Sequence, residues 1–341
     1  MRTAVMGAGS IGMFLGAMIT KNGGQIDLID TYRANIDALN KNGAKITGKT
    51  EFVTPVHALT PDQMDGKYDL VFLCTKQVVN KEVIGYVMPH MADDGLILTL
   101  QNGIPEPTIE ELAGKGRVAG GAVGFGATWI EPGVDMLTSP MSPGIEKFAF
   151  DIGEMDGKDT PRIRAAKAVL DLCGGTTILP NLMGIRWSKV LMNSTFSGMS
   201  AALGCTMGDV LDGKESLDCV AHIADETIKV ARADGVELAS MQGVSFTQLE
   251  LKDKADIANK YDFYHKVWGP HKLLKASMLQ DLEKQRKTEI DFINGVVCDR
   301  GRAHGIPTPF NDMVRKVVKE EEAKGIVNKY DEALKNFLPL L

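Results

Sequence analysis

The chain has 341 residues, 44% hydrophobic and 24% charged, a balance that suits two globular domains and excludes a mainly disordered chain. Its formal net charge of −6 offers no basic excess for binding nucleic-acid phosphates. The five cysteines (Cys74, Cys173, Cys205, Cys219 and Cys298) include no Cys-x-x-Cys pair and the six histidines no His-x-x-x-His pair, so neither a disulfide framework nor a metal site is expected, and a reducing compartment is.

Residues 1–6 run directly into a glycine turn with no charged segment before an apolar one, so a secretory signal is not expected. The apolar stretch 11–19 is far short of the roughly 20 residues that span a bilayer. These features predict a cytoplasmic protein without a membrane partner. Short apolar runs bounded by Gly, Asp or Asn predict strands at 3–6, 26–29, 69–74, 96–100 and 118–123, with a late one at 148–152. Helical patterns fall between them at 11–22, 33–42, 106–112 and 161–172. Alternating strands and helices predict a parallel sheet covered on both faces.

Beyond about residue 182 the β-like runs nearly vanish, and helices are expected at 186–203, 216–233, 271–304 and 311–324. The chain therefore divides into a Rossmann-type α/β domain over 1–180 and an all-helical domain over 181–341, joined near Gly174-Gly175-Thr176-Thr177-Ile178-Leu179-Pro180. Ligands of an open α/β sheet bind at the carboxyl ends of its strands, so a second domain closing over that edge would complete a substrate cleft.

Gly7-Ala8-Gly9-Ser10-Ile11-Gly12 fits G-x-G-x-x-G between a predicted strand and a predicted helix. Gly7 suits the tight turn, Gly9 a close approach of pyrophosphate, and Gly12 close helix–strand packing, while the helix N-terminus offers free amides to phosphate. Asp30 ends the second strand, 18 residues after Gly12. A carboxylate there accepts from ribose hydroxyls and repels a 2′-phosphate, which favours NAD(H). Arg33, three residues on, keeps NADP(H) open.

With these residues in place, the sequence resembles the ketopantoate reductase family (2-dehydropantoate 2-reductases). The resemblance spans nearly the whole chain: Gly7–Gly12, Cys74-Thr75-Lys76, Gln101-Asn102-Gly103, Glu131-Pro132-Gly133, Ile152-Gly153-Glu154, Trp187 to Asn193, Ser277 to Asp281, and Thr288 to Gly295. It implies a Rossmann domain and a helical domain with the active site between them, a small 2-keto acid as substrate, a nicotinamide cofactor, NADP(H) among the choices, and a homodimer. It also implies site roles: Lys189 and Glu289 as catalytic residues, with Asn102, Asn193, Ser197 and Ser277 binding substrate. Gly7, Ala8, Gly9, Ser10, Ile11, Gly12, Asp30, Lys76, Asn102, Ala127 and Glu289 would meet the cofactor. The chemistry agrees, because ketone reduction needs a hydride donor, a proton donor at the carbonyl oxygen and groups that hold the carboxylate. Lys189 and Asn193 share a helix face at i, i+4.

Several of these residues also have a plainer reading: Lys189 with Glu289 as a surface ion pair, Asn193 as a backbone cap or bridge, Asn102-Gly103 as a turn, Ser277 as a helix start, Lys76 as a solvated strand end, and Asp30 as an ordinary strand-end acid. The chain departs from the family at two points. Ser197 stands where a second asparagine is common, and Met207-Gly208-Asp209 where Asn-Gly-Glu is common. A hydroxyl and a thioether replace amides, so recognition of the substrate beyond its keto-acid end is altered. Reduction of 2-dehydropantoate to pantoate is the leading expectation. An NAD-dependent D-2-hydroxy acid dehydrogenase for branched or aromatic 2-keto acids is the first alternative, and a non-catalytic dinucleotide-binding regulator the second.

Overall fold

A strand's backbone N–H and C=O groups need partners on a neighbouring strand, and twelve short extended runs pair into two sheets. The computed structural model describes every residue, Met1–Leu341. It divides into two compact units, Met1–Gln101 with Pro105–Leu182, and Asn102–Ile104 with Met183–Leu341. In the first unit the strands are β1 (Thr3–Met6), β2 (Asp27–Ile29), β3 (Ala44–Gly48), β4 (Phe52–Thr54), β5 (His57–Leu59) and β6 (Tyr68–Leu73). They continue with β7 (Met91–Thr99), β8 (Val118–Val123), β9 (Ala127–Glu131), β10 (Val134–Leu137), β11 (Phe150–Glu154) and β12 (Thr176–Ile178).

The main sheet has the order β12-β11-β8-β7-β6-β1-β2-β5, parallel throughout except where β8 meets β11. The chain leaves β1 in one direction to β2 and later returns on its other side as β6. That reversal leaves a crevice at the carboxyl ends of β1, β2 and β6, where the fold places ligands. The predicted α/β architecture is thus present, with some strand boundaries moved. β7 begins five residues before the expected 96, and β11 runs to Glu154.

The smaller sheet, β4-β3-β10-β9, was not anticipated. Its strands are only three to five residues long, and β4 and β9 show no alternation of buried and exposed positions, so no clear period marks them. Helix α1 (Ser10–Lys21) touches both sheets, and every residue from Gly12 to Ile19 is buried. An apolar surface all round suits a helix covered on both sides.

The second unit is helical, with one isolated bridge, Met241 with Val244, and no strand. Two helical expectations need correcting. The helix expected over 271–304 is three pieces: Ser277–Glu283, a short 3₁₀ turn Ile290–Phe292, and Asn294–His304. Residues 283–287 are five consecutive exposed positions and Gln285 has φ +52°, so no helical stripe can pack there. The helix expected over 186–203 starts at Leu182 and contains a π-helical turn, Asn193–Ser197, before Gly198–Leu203. No helix of the protein is long and apolar enough to cross a membrane.

Candidate active site

In the first unit, Met6 ends β1 and Gly7 turns the chain with φ +101°, its amide donating to Ile29 O at 2.7 Å. A Cβ on Gly7 would lie 2.8 Å from Thr75, and one on Gly12 only 1.9 Å from Gly7 O. Gly9 is different. It caps α1 with φ −73°, no side chain covers the helix end, and a Cβ there would meet nothing within 4 Å. Two glycines therefore serve packing, while the third keeps open the space beside free helix amides, as a dinucleotide pyrophosphate requires. The residues present fit that group.

Asp30 and Asn35 hold this turn. Asp30 Oδ2 accepts from Ala8 N at 2.8 Å and Oδ1 from Tyr32 N at 2.9 Å. Buried Asn35 donates to Ala8 O at 3.0 Å and accepts from Gly133 N at 2.8 Å. Ser10 Oγ accepts from Trp129 N at 3.0 Å, which ties the turn to β9, whose first residue is the half-buried Ala127. Lys76 O closes the 3₁₀ turn that follows β6. Gln101 Nε2 donates to Thr75 O at 2.8 Å and Asn80 Oδ1 at 2.7 Å, locking the ends of β6 and β7 together. Sequence reading missed Asn35 and Gln101 as braces. No local signal marked either amide, because these partners lie 21 to 98 residues away in the chain.

In the second unit, Lys189 rides the helix Leu182–Met192. Trp187 and Val190 on either side of it are fully buried and pack with Ile104, Val230, Ala231 and Val297. Lys189 itself is half-buried, and loss of water around its ammonium lowers its pKa to about 8. Ile104, anchored in that cluster, follows the Asn102-Gly103 turn, where Gly103 has φ +78°. The turn brings Asn102 Oδ1 within 3.4 Å of Asn193 Nδ2, a long hydrogen bond between residues 91 apart in sequence.

The π turn has a geometric effect on Ser197. In an unbroken α-helix eight residues overshoot two turns, setting Ser197 about 80° round from Lys189. The wider turn takes up that overshoot and rotates Ser197 back toward the Lys189 face. Side chains meet carbonyls within and just before the turn: Asn294 Nδ2 donates to Ser194 O at 3.0 Å, and Thr195 Oγ1 to Leu191 O at 2.7 Å. Asn294 is fully buried and also donates to Asn311 Oδ1 at 3.0 Å. Ser197 is 8% exposed, so little water competes for its hydroxyl.

The remaining predicted residues lie in the same unit. Glu289 is buried just before the turn Ile290–Phe292, beside Thr288, whose amide and hydroxyl both donate to Glu322. Ser277 is exposed and begins the helix Ser277–Glu283. Met207 starts a short helix capped by Thr206 and Asp209, and its amide donates to Leu274 O at 3.1 Å. His271, not singled out from sequence, has its pKa lowered by burial and by the charge of Lys189.

Residues 3–145 match the family model described as Ketopantoate reductase PanE/ApbA, and residues 181–322 match its counterpart, Ketopantoate reductase PanE/ApbA C terminal. The 2-dehydropantoate 2-reductase of Pyrococcus horikoshii is 28% identical over 333 residues, 95% of this chain and 99% of its own. That of Streptococcus pyogenes serotype M18 is 27% identical over 321 residues, 94% and 97% of the two chains. D-mandelate dehydrogenase, solved with NADH and anilino(oxo)acetate, superposes with a TM-score of 0.79 at 23% identity, covering 95% of this chain and 99% of that one. The last comparison bears on the fold alone.

Proposed function

The chain belongs to the ketopantoate reductase family of nicotinamide-dependent oxidoreductases, and on that premise we propose that it reduces the keto carbon of a 2-keto acid, 2-dehydropantoate foremost, with Lys189 as proton donor. The observation that carries this reading is the desolvated Lys189, one helical turn from Asn193, which in turn contacts Asn102. An ammonium with a pKa near 8 is charged at neutral pH yet gives up its proton readily.

When bound, the dihydronicotinamide supplies the hydride that adds to the keto carbon. Lys189 Nζ stabilises the negative charge developing on the carbonyl oxygen and transfers a proton to it, leaving a neutral amine that water reprotonates. Asn193 and Ser197 offer an amide and a hydroxyl to the substrate from the same helix, and Ser277 a hydroxyl to its carboxylate. Glu289 orients the lysine. On the first unit, Gly7 to Gly12, Lys76 and Ala127 hold the dinucleotide, and Asp30 favours NADH over NADPH by repelling a 2′-phosphate.

A second reading is favoured by two side chains. Ser197 is shorter than the amide common in the family and Met207 offers no strong hydrogen bond, which suits branched or aromatic 2-keto acids better than a hydroxylated one. Absorbance at 340 nm, followed with 2-dehydropantoate and a panel of 2-keto acids, each with NADH and NADPH, decides between them. Rapid oxidation with 2-dehydropantoate establishes the first reading. Turnover only with branched or aromatic acids establishes the second, and no turnover across the panel sinks both.

A further inference from the structure

We propose that Glu82 is a second determinant of cofactor choice, a carboxylate that acts with Asp30 to exclude a 2′-phosphate from the adenosine end of the dinucleotide. The proposal rests on the reading that the glycine turn holds such a cofactor. Glu82 lies in the first turn of the helix Asn80–Val87. It shares with Gly7, Asp30, Thr31 and Thr75 the wall of a small cavity of about 80 Å³ at the carboxyl ends of β1, β2 and β6. That wall carries two carboxylates and no basic side chain.

Four hydrogen bonds give these charges fixed positions. Tyr86, one turn further along the helix, donates its hydroxyl to Glu82 Oε1 at 2.7 Å and leaves Oε2 to act on a ligand. The helix start is itself held, because Asn80 Oδ1 accepts from Gln101. Across the cavity, both oxygens of Asp30 already accept backbone amides. Arg33, the cation nearest Asp30 in sequence, lies 3.8 Å from Asp62. A doubly charged phosphate ester entering this cavity therefore meets two fixed negative charges, while a ribose hydroxyl meets two acceptors.

The test is equilibrium binding of NADH and NADPH by fluorescence, without substrate, to the wild type, Glu82→Gln, Glu82→Lys and Asp30→Asn. Glu82 is exposed, so its variants keep the wild-type melting temperature. Glu82→Gln is expected to tighten NADPH about fivefold relative to NADH, and Glu82→Lys to tighten it further, with both gains shrinking as salt is raised. An unchanged NADPH-to-NADH ratio in both Glu82 variants, while Asp30→Asn shifts it, overturns the role of Glu82 and leaves the cofactor reading standing. Failure of the wild type to bind either dinucleotide overturns that reading and the proposal with it.

Discussion

Asp30 Oδ2 accepts a 2.8 Å hydrogen bond from the amide of Ala8, so the acid at the end of β2 also holds the glycine turn in shape. The same carboxylate thus has a structural task and a proposed selective one, which substitutions separate. Asp30→Asn keeps an acceptor oxygen but removes the charge, and should shift the ratio of NADPH to NADH dissociation constants about tenfold toward NADPH. Asp30→Ala orphans the Ala8 amide and should weaken both dinucleotides together, at a cost of about 1–3 kcal/mol. Titration of each variant with both nucleotides checks this, and identical behaviour of the two variants would sink the distinction.

The glycines of the turn should separate binding from folding. Gly12→Ala places a Cβ 1.9 Å from Gly7 O, so it should lower stability by about 1–3 kcal/mol or more as well as abolish binding. Gly9→Ala meets no protein atom within 4 Å and has a φ any residue accepts, so its melting temperature should stay near wild type. Its dinucleotide affinity should nevertheless fall more than about tenfold, because the new methyl occupies the approach to the helix amides. Thermal melts beside binding curves read both effects.

Removal of the amine in Lys189→Ala should cut kcat by about 10² to 10⁴ while dinucleotide affinity changes little. Since the donor is the charged form and burial lowers its pKa to about 8, kcat/KM should be level below that pH and fall about tenfold per unit above it. A profile still flat at pH 9.5 would remove Lys189 from the proton-transfer step. Glu289→Ala should also slow turnover, and the double variant should be little worse than Lys189→Ala alone if the two act as one unit.

Asp135 on β10 predicts a pH dependence of stability. It is fully buried, neither carboxyl oxygen makes a hydrogen bond of normal geometry, and burial raises its pKa from 3.8 to about 7, with the Met136 amide offsetting only part. A folded-state pKa above the unfolded one means the folded protein holds the proton more tightly. That contribution is complete below about pH 4 and lost as pH rises through 7, worth about 4 kcal/mol. Glu226 and Glu321, both buried with pKa values raised to about 7 and about 8, act in the same direction. Denaturant melts at pH 5.5 and 8.5 should therefore show a smaller loss of stability for Asp135→Asn than for the wild type. Equal losses would show that Asp135 contributes nothing.

What was legible in the sequence was short-range. The strand-turn-helix around Gly7–Gly12, the alternation that builds the parallel sheet and the helical second half all follow from residues within a few positions of one another, through turn chemistry and periodicity. The site residues were legible only as types in a family-like order, and chain distance gives no hint of which of them meet. Tertiary structure decided that Asn102–Ile104 packs with the second unit, because Ile104 joins the buried cluster around Trp187 and Val190. It decided the π turn that rotates Ser197, where Asn294, 100 residues away, donates to Ser194 O. It also decided the second sheet, whose strands β3 and β10 pair Lys45 with Val134 and show too little hydrophobic period alone to announce themselves. Local sequence carries backbone preferences and turn geometry. Which distant groups satisfy one another's hydrogen bonds and exclude water is settled only when the chain is packed.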